Sequence, residues 1–135
     1  MPPRYRRHYL IQRAEERCEY CHFPQAHLSL GLYLDHIIAQ QHAGGDDEEN
    51  LAMCCAHCSS CKGPNLASVD LETKQKVWLF NPRKDNWSEH FEVVNDEVIG
   101  KTPVGRATAR LLDMNNEQNV VFRRLLRLLG EPVGT

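Results

Sequence analysis

The segment LYLDHIIAQQHAGGDDEENLAMCCAHCSSCKG, residues 32–63, runs from an apolar stretch through a Gly-Gly loop into a cysteine-rich end. Its first part belongs to a longer apolar, β-branched run, Leu28 to Ile38, which predicts a strand. Ala43 to Asp47 predicts a loop, and Asn50 to Met53 a short strand or the start of a turn. From Cys58 a helix is expected until Gly63-Pro64 stops it. Strand, loop, strand or turn, then helix is a ββα order, which places the chain in the α+β class.

Six cysteines fall in two clusters around this segment: Cys18 and Cys21, then Cys54, Cys55, Cys58 and Cys61. No apolar run of signal-peptide length follows the charges of MPPRYRRHYL, and no stretch approaches the roughly 20 apolar residues of a bilayer span. A cytoplasmic chain without a membrane partner is therefore expected. In that reducing compartment clustered cysteines read as metal ligands before disulfides. Cys18-x-x-Cys21 with a second CxxC pair can complete a tetrahedron of thiolates around zinc. Both Cys55/Cys58 and Cys58/Cys61 have the spacing of the second pair. In a chain of 135 residues such a staple adds folding free energy that a modest core lacks.

Between the cysteine pairs stand Asp35-His36-Ile37-Ile38, Gly44-Gly45, Asn50-Leu51 and, just beyond, Lys62-Gly63. Phosphodiester hydrolysis needs a base to activate water and a cation to neutralise developing charge. A neutral imidazole at His36 suits the first task, and the carboxylate of Asp35 is a hard ligand suited to Mg²⁺.

Taken in order, CEYC, DHII, GG, NL, CxxC and KG resemble the HNH endonucleases and their ββα-metal fold. RAEERCEYC, LFNPRKDNWSEHF and GKTPVGRATARLLDMN extend the resemblance to one bacterial subfamily over most of the chain. The resemblance implies that His36 is the general base and that Asn50 orients the loop bearing it. It implies Asp35 as a ligand of a catalytic divalent cation, Mg²⁺ or Mn²⁺, and Cys18, Cys21, Cys55 and Cys58 as the structural zinc set. Lys62 and His42 are the implied contacts to nucleic-acid phosphate. Where the family has asparagine, and often a histidine two positions on, this chain has Ser59 and Cys61. Two functions follow. One is a working nuclease in which Ser59, His42 or water completes the cation's shell; the other is a degenerate HNH fold that binds nucleic acid or protein without cutting. Cys54 and Cys61 are expected as unbound thiols packed in the core.

The formal net charge is -2, which advertises no polyanion partner, but the charges are segregated. Asp46 to Glu49 form a run read as a solvated loop, while arginines gather near both ends. Nucleic acid, DNA first, is the expected partner, and a homodimer stays open. Arg83, Arg106, Arg110, Arg123 and Arg127 are candidate phosphate contacts.

A helix is expected from Tyr5 to Arg17, a short strand at Val77 to Phe80 and two strands around Asn95-Asp96. Further helices are expected over Val104 to Met114 and Glu117 to Leu129, the last with Val121, Leu125 and Leu128 inward and Arg123 and Arg127 outward. Trp87 and Phe91 are expected in the core. The expected organisation is one HNH domain over residues 1–135, with a ββα core at about 14–64 and a C-terminal β-hairpin and helical extension at about 65–135.

Overall fold

The computed structural model describes residues 4–134, and the chain divides into two compact units, 1–66 and 67–135. Among the described residues no helix is long and apolar enough to cross a membrane.

In the first unit, α1 (Arg4–Arg13) leads to β1 (Tyr33–His36), β2 (Leu51–Cys54) and α2 (Ala56–Lys62). The two strands are antiparallel, with Tyr33 opposite Cys54 and His36 opposite Leu51. All four residues of β2 are buried, which explains an unbroken apolar Leu-Ala-Met-Cys where a half-exposed strand would alternate. α1 packs on β2, and α2 packs on β1.

α1 ends at Arg13, short of Arg17. The Glu16 N–H reaches back to the carbonyl of Ile11 at 3.0 Å, and Glu15 and Glu16 both take left-handed φ values, 58° and 57°. This closure releases Arg17 to bridge to Pro24 and open the first cysteine turn. β1 is likewise shorter than the apolar run Leu28 to Ile38. Gly31, with φ 68°, turns the chain, and the strand begins at Tyr33.

The second unit holds the hairpin β3 (Ala67–Asp70) and β4 (Gln75–Trp78), the short helix α3 (Trp87–His90) and the hairpin β5 (Phe91–Val94) and β6 (Glu97–Gly100). α4 (Pro103–Leu111) and α5 (Glu117–Leu128) follow. Asn95 and Asp96 both have positive φ, 52° and 65°, as a two-residue hairpin turn with the favoured twist requires. The Thr102 hydroxyl caps α4 by accepting from the Gly105 N–H at 3.0 Å, with Pro103 in the first turn. Phe80, Trp87, Phe91, Val98, Ala107, Leu112, Met114 and Leu126 form the core. β4 lies two residues before the expected position and pairs with β3, a strand that the sequence did not signal.

The face of α5 corrects the sequence expectation. Val121, Leu125 and Leu128 are exposed, Leu125 at 53% and Leu128 at 69%, whereas Leu126 and Arg123 are buried. The Arg123 guanidinium donates to the carbonyls of Asp96 at 2.7 Å and Met114 at 3.0 Å. Arg127 lies toward solvent as expected, but it holds the Asp96 carboxylate through two bonds of 2.9 and 3.1 Å.

Candidate zinc centre and active site

The two CxxC turns converge. The sulfurs of Cys18, Cys21, Cys55 and Cys58 all lie within 4.8 Å of one another, and all four residues are buried. Cys21 Sγ and Cys55 Sγ are 3.7 Å apart, close to the edge of about 3.8 Å that a tetrahedron of roughly 2.3 Å zinc–sulfur bonds would have. Each turn aims an N–H at its first sulfur, Cys21 at Cys18 and Cys58 at Cys55, both at 3.4 Å. Cys55 is thereby also the N-cap of α2.

The four buried sulfurs perturb one another's protonation strongly. Burial pushes the Cys21 thiol up, hydrogen bonds with the neighbouring sulfurs push Cys58 up, and hydrogen bonds from Cys18, Cys21 and Cys58 hold Cys55 far below the usual thiol range. Several thiolates packed together need a positive charge among them. The donor set fits zinc, with Cys55/Cys58 as the second pair. Cys54 is buried outside the cluster, where burial raises its thiol and the Ser59 hydroxyl hydrogen-bonds it. Cys61 is half-buried rather than in the core, with its sulfur 3.7 Å from His57 Nε2.

His36 closes β1 opposite Leu51, and its Nε2 lies 2.8 Å from the Asp46 carboxylate. Asn50, buried at the entrance to β2, clips the intervening loop. Its Oδ1 accepts from the Ile38 N–H at 2.8 Å, while its Nδ2 donates to the carbonyls of Ile38 at 3.0 Å and Gly45 at 2.8 Å. Gly44 packs so closely that a Cβ there would collide with the Ile38 carbonyl.

Asp35 and Lys62 lie inside this frame, not at its surface. Asp35 is 8% exposed; it accepts from the Tyr20 hydroxyl at 2.7 Å and from Lys62 Nζ at 3.3 Å. Burial pushes its carboxyl up, and the Lys62 charge opposes that shift. Lys62 is 2% exposed and also donates to the carbonyls of His36 and Ile37, both at 3.2 Å. Its three ammonium protons therefore have three internal acceptors, and none is presented to a phosphate. Ser59 sits half-buried on α2 beside Cys54, and His42 is exposed at the end of the short turn Gln40–His42. The structure thus brings His36 and Asn50 to one loop and takes Lys62 away from solvent.

Sequence reasoning passed over Asp46, Arg6 and Arg13. Arg6 donates to the Asp46 carbonyl at 2.8 Å, and Arg13 donates to the carbonyls of Glu48 and Leu51 at 3.1 and 2.7 Å. Their signal was the complementarity between an arginine-rich first helix and the acidic run 46–49. Of the arginines considered for phosphate, Arg106 holds Asp70, Arg110 holds Ser68 and the Val69 carbonyl, and Arg123 is buried; Arg83 is half-buried.

Residues 18–65 match the family model described as HNH endonuclease. No curated protein and no solved structure matches the chain.

Proposed function

We propose, from the match of residues 18–65 to the HNH endonuclease family model, that the chain hydrolyses phosphodiester bonds of nucleic acid, DNA first, with His36 as the general base. The observation that carries this reading is the three-bond clamp of Asn50 on the loop that follows His36. It holds the base at a strand end with its side chain 23% exposed, within reach of the water that it would activate. His36 takes a proton from the attacking water, and Asn50 keeps the loop from carrying the ring away. His42 is the exposed side chain available to phosphate.

When bound, Mg²⁺ or Mn²⁺ supplies the neutralisation of developing negative charge in such chemistry. The donors expected for it fit poorly: the Asp35 carboxylate is buried and compensated by Lys62, and the Ser59 hydroxyl is engaged with Cys54. That placement favours the second reading, a zinc-stapled HNH fold that binds nucleic acid or protein without cutting it.

Supercoiled plasmid incubated with zinc-loaded wild type and His36→Ala, in Mg²⁺, Mn²⁺ or EDTA, separates the two. Cation-dependent nicking lost in His36→Ala supports the nuclease; linear product formed without an open-circle intermediate would mark a homodimer cutting both strands. No cleavage by folded wild type under any condition would leave the binding scaffold.

A further inference from the structure

We infer that Asp46 is a positioning residue for His36, a carboxylate that holds the imidazole by Nε2 and leaves Nδ1 as the atom that receives the proton from water. This deepens the proposed nuclease and rests on His36 being its base.

The contact is direct: Asp46 Oδ1 lies 2.8 Å from His36 Nε2. A carboxylate in its ionised form only accepts, so the proton of this hydrogen bond belongs to Nε2, and the lone pair of the neutral ring is at Nδ1. The hydrogen bond from His36 in turn holds the Asp46 carboxyl below the usual range. The same oxygen accepts from Gln40 Nε2 at 3.4 Å, which gives the carboxylate a second anchor.

The loop places this carboxylate opposite the ring by construction. Asn50 Nδ2 holds the carbonyl of Ile38, two residues after His36, and the carbonyl of Gly45, one residue before Asp46. One amide therefore fixes both ends of the loop 38–45, and the glycine at 44 lets those ends close. Arg6 holds the far side through the Asp46 carbonyl. An acid in a merely solvated loop would have no reason to be clipped on both sides beside a histidine.

In the step this serves, water gives one proton to Nδ1 as its oxygen forms the bond to phosphorus; the bond from phosphorus to the departing oxygen breaks, and that oxygen leaves with the electron pair and takes a proton from solvent. Asp46 stays ionised and stabilises the imidazolium that forms. Both side chains reach solvent, His36 at 23% and Asp46 at 58%, so the effect is smaller than in a buried pair.

The experiment compares wild type, Asp46→Asn and Asp46→Ala, each shown to hold zinc and to melt like wild type. Steady-state cleavage of an oligonucleotide duplex gives kcat and KM. Imidazole ¹⁵N shifts of His36 at one fixed alkaline pH give the tautomer without any need for turnover. The expected result is a fall in kcat of about 10- to 100-fold in Asp46→Ala with KM within about two-fold, and an intermediate kcat in Asp46→Asn, whose amide oxygen still accepts. The His36 nitrogens should show one tautomer, protonated at Nε2, in wild type and an averaged mixture in Asp46→Ala. An unchanged kcat, or an effect on KM alone, would overturn the inference. Should wild type not cut at all, the nuclease proposal fails separately, and the ¹⁵N shifts still decide: release of the ring in Asp46→Ala upholds the positioning, and no change overturns it. If Asp46→Ala does not fold, Asp46→Leu, of similar size but without an acceptor, carries the same comparisons.

Discussion

Lys62 Nζ lies 3.3 Å from the carboxylate of Asp35, and both side chains are buried. The same ammonium reaches the carbonyls of His36 and Ile37, so the last turn of α2 is bonded to three consecutive residues of the segment that carries the candidate base. The Lys62 ammonium is thus bonded to the backbone under His36.

Lys62→Met keeps most of the stem volume but strands the Asp35 carboxylate and two carbonyls. Breaking a buried pair from one side costs about 3–5 kcal/mol. Urea unfolding of the zinc-loaded variant should show a loss of that order, with any cleavage activity falling as the strand end loosens. A variant as stable as wild type, with only weakened affinity for oligonucleotide, would return Lys62 to the role of phosphate contact.

In the second unit two carboxylates are held by arginines. Asp70 receives two bonds of 3.0 Å from Arg106, and Asp96 receives two from Arg127. The Arg106 hydrogen bonds hold Asp70 well below the usual carboxylate range, and those of Arg127 lower the Asp96 carboxyl. A folded-state pKa below the unfolded value means that the native state binds fewer protons. The stability from these pairs is then fully present above the unfolded value of about 3.9 and is lost as pH falls through the depressed folded values. Melting temperatures between neutral pH and strong acid should fall along that limb, and more shallowly in Asp70→Asn and Asp96→Asn. Parallel limbs in all three proteins would mean that other groups drive the acid loss.

How much could be read beforehand differs from element to element for physical reasons. The cysteine turns and the Asn95-Asp96 hairpin are local and formed as expected, although spacing alone left Cys55/Cys58 and Cys58/Cys61 both open for the second turn. The fates of Arg123 and Lys62 are not local. Each depends on backbone carbonyls left open by distant segments, Asp96 and Met114 for the one, His36 and Ile37 for the other. Periodicity counts apolar residues but does not register open acceptors, so it turned α5 by the wrong face. Asp46 was hidden similarly, because the loop that delivers it to His36 is shaped by Asn50 and by Arg6 of α1. β3 lacked a signal because its residues Ala67, Ser68, Val69 and Asp70 have neither an apolar run nor clean alternation.

The corrected face of α5 can be tested by substitution. Leu126→Ala empties a buried site and should cost about 2–4 kcal/mol, whereas Leu125→Gln and Leu128→Gln should stay within about 0.5 kcal/mol. Arg123→Met leaves two buried carbonyls without their donor, for about 1–3 kcal/mol. Denaturant midpoints at constant slope give all four values. Equal losses at positions 125 and 126 would contradict the burial described.

The zinc assignment separates six cysteines into ligands and bystanders. Metal analysis of protein purified without chelator should find one zinc per chain, retained in Cys61→Ser and Cys54→Ala. It should be lost in Cys55→Ser, because the Cys55 sulfur stands 3.7 Å from Cys21 and accepts the Cys58 N–H, a place that no other thiol can take. Because the four ligands come from both sides of the β1–β2 hairpin, removing the ion should loosen the frame around His36 as well as the cysteine turns. Chelation should therefore lower the melting temperature and broaden the His36 and Asn50 resonances together. Zinc kept in Cys55→Ser but lost in Cys61→Ser would shift the second pair to Cys58 and Cys61 and with it the start of α2.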